Sequence, residues 1–234
     1  MSNLPSKIKH VLSDLFADSP YPCQSCGTEM ELPGVCEECY QREERRLARQ
    51  RCHAALSTLP PTMKWASFAN ALLRRRVKQD DSDPIVWCER AIEVVVRGPA
   101  HNVVLLGPTG VGKTALACAM ARRVVELRPE TAQRMMFASC VDMSMCRREA
   151  KWGEGRPKSL ERARQCSLLI FDDLNQETSN TDVAMEIIHA RYDAKLPTIF
   201  TTWASSKQIA ERYGGGTSRR VFELAAIYRW DEKS

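Results

Sequence analysis

With 234 residues, 44% hydrophobic and 27% charged, the chain suits one ordinary α/β domain plus a small appendage, and global disorder is excluded. A net charge of +5 is too small to mark a nucleic-acid binder by itself, so local clusters carry that question. No apolar run approaches the roughly 20 residues of a membrane span, and the polar start from Met1 to Lys9, with Pro5 in it, lacks the apolar segment of a secretory leader. The expectation is a cytosolic protein with no membrane partner.

Ten cysteines in a reducing compartment are not read as disulfides. Cys23-Gln-Ser-Cys26 and Cys36-Glu-Glu-Cys39 form two C-x-x-C knuckles with nine residues between them. Four thiolates at that spacing can surround one tetrahedral Zn²⁺, and Gly27 suits the turn of a knuckle. The segment has too few apolar residues to fold alone, so a metal would supply its folding energy. Cys52, Cys88, Cys118, Cys140, Cys146 and Cys166 are scattered and read as small packed hydrophobes. Residues 41–58 contain no Gly or Pro and read as a helix, stopped by Pro60-Pro61. The division is therefore a zinc-ribbon-like module over 1–40, a basic linker helix over 41–59 and an α/β domain over 60–234.

That domain alternates short apolar runs with helical segments. Strands are expected at 103–106, 135–138, 168–171, 198–202 and 225–230, and helices at 113–127, 142–150, 158–165, 181–194 and 205–213. Strands separated by helices imply parallel pairing, and unalternating apolar strands imply a sheet buried on both faces.

The turn after the first of these strands is Gly107-Pro108-Thr109-Gly110-Val111-Gly112-Lys113-Thr114, which meets the phosphate-loop pattern G-x-x-x-x-G-K-[ST] in full. Its glycines let the backbone turn tightly against phosphate oxygens. Its N–H groups lie at a helix N-terminus, where the dipole favours an anion. Lys113 is expected to reach the β- and γ-phosphates of ATP, and Thr114 to offer its hydroxyl to Mg²⁺. The apolar strand Leu168–Phe171 ends in Asp172-Asp173. Asp172 is expected to hold the Mg²⁺ shell; Asp173 either orients or deprotonates the attacking water, or caps the segment that follows.

Several further motifs follow in order: Asp172-Asp173-Leu174, Ile187-Ile188-His189-Ala190-Arg191-Tyr192, Leu196-Pro197-Thr198-Ile199-Phe200-Thr201-Thr202 and Ser218-Arg219-Arg220-Val221-Phe222. Together with the phosphate loop and with Pro60-Pro61 and Ala66–Asn70, this series resembles the DnaC-type AAA+ ATPases, the bacterial and phage replicative helicase loaders, and their relatives the IstB-type transposition ATPases. The resemblance covers roughly residues 60–230. It implies an AAA+ P-loop sheet flanked by helices, and an arginine, Arg220 or alternatively Arg219, that acts in trans on a neighbouring subunit's nucleotide. It also implies an ATP-dependent homo-oligomer, a hexameric replicative helicase as partner, and single-stranded DNA. Two positions depart from the pattern. Trp203 stands where the family usually has an Asn that positions the attacking water, with a hydroxyl of Thr201 or Thr202 as a substitute. Asn175 stands where Gly is usual. Both departures point to slow or switch-like hydrolysis.

Three basic clusters remain: Arg42, Arg45, Arg46, Arg49 and Arg51; Arg74-Arg75-Arg76 with Lys78; and Arg147, Arg148, Lys151, Arg156 and Lys158 around Trp152. Each is either a solvated face or a DNA contact, and the last, with its aromatic, best suits single-stranded DNA. The expected function is an ATPase that loads a replicative helicase in the initiation of DNA replication. The alternatives are a transposition ATPase engaging target DNA and a transposase, or a nucleotide-gated adaptor with little turnover.

Overall fold

The computed structural model of the chain describes residues 21–77, 83–97, 102–132, 134–150, 155–177 and 182–230. Lys78, Lys151 and Trp152 of the basic clusters lie outside them. The described residues up to Ala48 and those from Arg49 form two compact units.

In the first unit, β1 (Tyr21–Pro22) and β2 (Glu29–Met30) pair antiparallel, Tyr21 opposite Met30. Helix α1 (Glu37–Leu56) begins four residues earlier than the sequence suggested, so Cys39 lies in its first turn.

The second unit is built on one five-stranded sheet. Its elements run in chain order as α2 (Ala71–Arg76), α3 (Pro84–Arg97), β3 (Val103–Leu106), α4 (Lys113–Leu127), α5 (Pro129–Ala132), β4 (Met135–Ser139), α6 (Cys140–Glu149), α7 (Lys158–Gln165), β5 (Leu168–Leu174), α8 (Val183–Asp193), β6 (Thr198–Thr202), α9 (Ser206–Tyr213), α10 (Gly215–Phe222) and β7 (Ala226–Arg229). The strand order is β4-β5-β6-β3-β7 and every neighbouring pair is parallel. Parallel neighbours need crossovers, and the crossover helices cover both faces.

Side-chain alternation divides the strands between two cores. Val103, Leu105, Leu168, Ile170 and Ile199 pack with α3 and α4; Val104, Leu106, Leu169, Phe171 and Phe200 pack with α6 to α10. This is why the strands read as continuous apolar runs: all four residues of β3 are buried. Arg191, only 2% exposed, ties the second layer together. Its guanidinium donates to the carbonyls of Ala163 (2.9 Å), Cys166 (2.8 Å) and Pro197 (2.7 Å) and to Thr198 Oγ1 (2.8 Å). The Arg-Tyr motif therefore owes its arginine to packing, because a buried cation needs such a full set of acceptors.

Four helices were not legible, among them α2, which Asn70 caps by accepting from Leu72 N at 2.9 Å. Pro84 starts α3, with Asp83 Oδ1 accepting from Ile85 N at 2.8 Å. Pro129 opens α5, just beyond the end of α4. Gly214 caps α10 and Gly215 and Gly216 open it, and Thr217, Ser218 and Val221 of that helix are buried. Of the scattered cysteines, Cys88, Cys118, Cys140 and Cys166 are buried and Cys52 and Cys146 half-buried, as expected of small hydrophobes.

Candidate nucleotide-binding site

The phosphate loop joins β3 to α4 at the carboxyl ends of the parallel strands. The chain leaves β3 there and resumes at β4, the far edge of the sheet, so the loop faces the crevice at a switch in strand order, where open α/β sheets bind ligands. Gly107 N donates to Thr202 O at 3.1 Å and fixes the loop's start against β6. A Cβ at Gly107 would come within 2.8 Å of Trp230 Cβ. One at Gly112, where φ is +104°, would meet Val77 Cγ2 at 2.9 Å. Neither position has room for a side chain.

Lys113 is buried, and its Nζ donates to the carbonyls of Gly107 and Pro108, each at 2.9 Å. Burial lowers the ammonium's pKa, while Asp173 and Asp172 oppose that shift. The cation is thus folded back over the loop it would serve.

Thr114 Oγ1 donates to Asp172 Oδ1 at 2.8 Å, which brings together the two side chains expected to hold Mg²⁺. The pair fits that ion: a hydroxyl and a carboxylate, hard oxygens at one point beside the loop. Burial raises the pKa of the Asp172 carboxyl, a shift opposed by the hydrogen bonds from Thr201 and Thr114. β5 is irregular between Phe171 and Leu174, and Asp173 has φ +53°. Consequently the adjacent aspartates are unlike: Asp172 is buried and Asp173 half-exposed.

Thr201 links them. Its Oγ1 donates to Asp172 Oδ1 at 2.6 Å and accepts from Asp173 N at 2.9 Å. Thr202 Oγ1 donates to Leu174 O at 2.8 Å and accepts from Ala204 N at 3.0 Å. The expected substitution of a threonine hydroxyl for the missing Asn is therefore not available, since both hydroxyls are committed within the sheet. The structural role of Thr201 was missed in the sequence because cross-strand register decides it. Trp203 is 43% exposed and lines a cleft of about 510 Å³ with Gly107, Pro108, Gln208, Arg229 and Trp230.

Arg220 lies at the opposite end of the sheet. Its carbonyl accepts from Asn102 Nδ2 at 3.0 Å, and Asn102, just before β3, also accepts Thr198 N at 3.2 Å and Ala226 N at 2.8 Å. The length of β3, about 13 Å, separates that anchor from the phosphate loop. An arginine side chain does not span this distance, so Arg220 does not serve its own chain's loop. Arg219 is exposed and pairs with Glu223 at 3.5 Å.

In the first unit the four sulfurs of Cys23, Cys26, Cys36 and Cys39 lie within 4.8 Å of one another. Tetrahedral zinc needs thiolates roughly 3.8 Å apart, so the cluster fits that ion. Gly27, with φ +77°, turns the first knuckle. The N–H groups of Cys36 (3.2 Å) and Ser25 (3.4 Å) donate to Cys23 Sγ and lower its pKa to about 6, toward the thiolate a metal takes.

The basic clusters are partly compensated. Arg147 pairs with Glu186, as do Arg156 (2.6 Å) and Arg164 (3.6 Å), and Arg156 also meets Glu161 at 2.9 Å. The third cluster thus offers less free charge than its sequence suggests. Arg46 pairs with Glu43 and Arg74 with Asp83.

A parallel sheet of this order, with the phosphate loop and an acidic strand tip side by side, defines a P-loop NTPase of the AAA+ type. Residues 28–215 match the family of IstB-like ATP binding proteins, and the chain belongs to that family. ATP is accordingly its ligand and ATPase its general class. Among solved structures, the DnaC helicase loader is 22% identical, with 70% of this chain and 98% of that one covered at a TM-score of 0.58. DnaI is also 22% identical, over 75% and 95%, at 0.55. The replication initiator DnaA bound to AMPPCP and single-stranded DNA is 16% identical over 74% of this chain, at 0.55; the match spans 51% of DnaA. These likenesses establish the fold. Among the described residues no helix is long and apolar enough to cross a membrane.

Proposed function

We propose that this protein is an ATP-dependent loader of a hexameric replicative helicase, acting on single-stranded DNA in the initiation of replication. The observation that carries this reading is the separation of two functional groups in one domain. Thr114, Lys113 and Asp172 gather at the carboxyl ends of the strands, whereas Arg220 is anchored beside Asn102 at the other end. Such a domain completes its catalytic site by stacking copies head to tail, an arrangement suited to a ring-shaped partner. The near-complete coverage of the DnaC loader and the distinct four-cysteine unit support the same reading.

In this account backbone N–H groups of residues 110–114 bind phosphate oxygens, and Lys113 turns from the loop carbonyls toward them. Thr114 and Asp172 would hold Mg²⁺, which supplies charge neutralisation to the phosphates. Asp173 accepts the proton of the attacking water, and Arg220 of the adjacent subunit steadies the developing charge. Zinc on the four cysteines would fold the first unit, which docks the partner. Hydrolysis is slow, because Thr201 and Thr202 are committed and Trp203 replaces the usual Asn. ATP binding assembles subunits and hydrolysis releases the helicase.

A transposition ATPase is the second reading, favoured by the family match itself. A nucleotide-gated adaptor with negligible turnover is the third, favoured by Trp203. Co-elution decides among them. The replicative helicase of the native host, mixed with this protein and ATP, should form a complex that gains a footing on circular single-stranded DNA. Failure to bind the helicase, with capture of a transposase instead, would overturn the loader reading.

A further inference from the structure

Helix α8 brings Tyr192 against the end of α10, where its ring and its hydroxyl meet different residues. The Arg220 guanidinium carbon lies 5.3 Å from the centroid of the Tyr192 ring. Tyr192 Oη donates to Glu223 Oε2 at 3.4 Å, the same oxygen that pairs with Arg219 Nε at 3.5 Å. Arg219 thereby meets a carboxylate, whereas Arg220 meets none among the described residues. Arg220 is half-buried, its Nη1 donates to Gly216 O at 3.2 Å, and its Nε is buried without a hydrogen-bond partner. A Cβ at Gly216 would lie 3.3 Å from Arg220 Nη1, a tight approach.

We propose that Tyr192 is a positioning residue for Arg220, its ring a platform that holds the guanidinium ready for a neighbouring subunit's phosphate while its hydroxyl keeps Glu223 on Arg219. The inference rests on the trans role of Arg220 and deepens it. An aromatic face attracts a guanidinium without neutralising it, unlike a carboxylate, so the cation keeps its charge for an incoming anion. The flat ring also limits the conformations that a long side chain must give up on meeting phosphate. Glu223 caps the same helix end, and its engagement by Tyr192 and Arg219 leaves Arg220 unquenched. The arrangement thereby selects Arg220 over Arg219 as the reaching arginine.

Subunit mixing tests this with the roles split between chains. Arg220→Ala subunits keep an intact ATP site and receive the arginine; Lys113→Ala subunits donate it. Donors carrying Lys113→Ala together with Tyr192→Leu should restore activity about tenfold less well, with kcat lowered and KM for ATP unchanged, because the receiving site is untouched. Donors carrying Tyr192→Phe should restore most of it, because the ring remains, and fall short of the parent donors only by the lost hold of the hydroxyl on Glu223. Tyr192 is 37% exposed, so the leucine is expected to fold; if its thermal transition is lost, Tyr192→Gln asks the same question with a polar residue suited to that surface. Equal rescue by donors with and without the ring overturns the positioning role and leaves the trans reading standing. No rescue by Lys113→Ala donors alone, with assembly verified, overturns the trans reading and this proposal with it.

Discussion

Thr201 Oγ1 donates to Asp172 Oδ1 at 2.6 Å, and that bond decides how the acidic strand tip works. The same hydroxyl accepts from Asp173 N at 2.9 Å, so one β6 side chain fixes both aspartates while the irregularity in β5 turns them apart. Asp172 faces Thr114, and Asp173 is left half-exposed beside the loop.

Separate positions predict separate defects. Asp173→Asn should keep ATP binding and lower kcat by roughly 100-fold or more, trapping the ATP-bound form. Asp172→Asn should weaken Mg²⁺-dependent binding itself. Titration of each variant with ATP, with and without Mg²⁺, checks this; indistinguishable defects would argue against the division of labour.

Trp203→Asn places an amide where the family usually has one, at the rim of the cleft beside Gly107 and Pro108. Steady-state turnover should rise about tenfold, an effect the size of a modest gain in water positioning. An unchanged kcat would mean that Trp203 does not limit hydrolysis.

Asn175 has φ +90°, and its Oδ1 is buried without a hydrogen-bond partner. Its carbonyl accepts from Arg212 at 2.7 Å, which keeps the backbone in that conformation. Asn175→Gly should relieve about 1 kcal/mol and raise Tm by roughly 2–4 °C, whereas Asn175→Ala, with a Cβ and no amide, should lower it. Thermal denaturation in which glycine is no better than alanine would count against strain at this position.

The difference between what sequence and structure reveal is one of range. The five strands were legible because two-sided burial leaves short apolar runs bounded by breakers, and the phosphate loop because its geometry demands particular glycines in a local pattern. Gly107 and Gly112 were readable as loop glycines, but their clashes with Trp230 and Val77 involve residues distant in the chain. The helix of Gly215–Phe222 was hidden by its opening glycines, whose poor helix propensity is overridden by the burial of Thr217, Ser218 and Val221. Likewise the commitments of Thr201 and Thr202, and the capture of Arg147 and Arg156 by Glu186, arise from register and helix packing. Charges counted along the sequence therefore overstated the basic face.

Purified protein should contain one zinc per chain by metal analysis. Cys36→Ser should lose it and unfold residues 21–40 while ATP affinity is retained, because the phosphate loop belongs to the other compact unit. Wild-type protein without zinc would refute the metal assignment.

The most direct test of an ATP-driven mechanism is calorimetric titration of Mg²⁺-ATP into the wild-type protein and Lys113→Ala. The Lys113 ammonium is buried against the carbonyls of Gly107 and Pro108, with Asp172 and Thr114 beside the same loop. Wild-type protein should bind one ATP per chain, and the variant should lose roughly 100-fold or more in affinity, as expected when a buried cation facing several phosphate oxygens is removed. Near-equal affinities would contradict the phosphate-loop account.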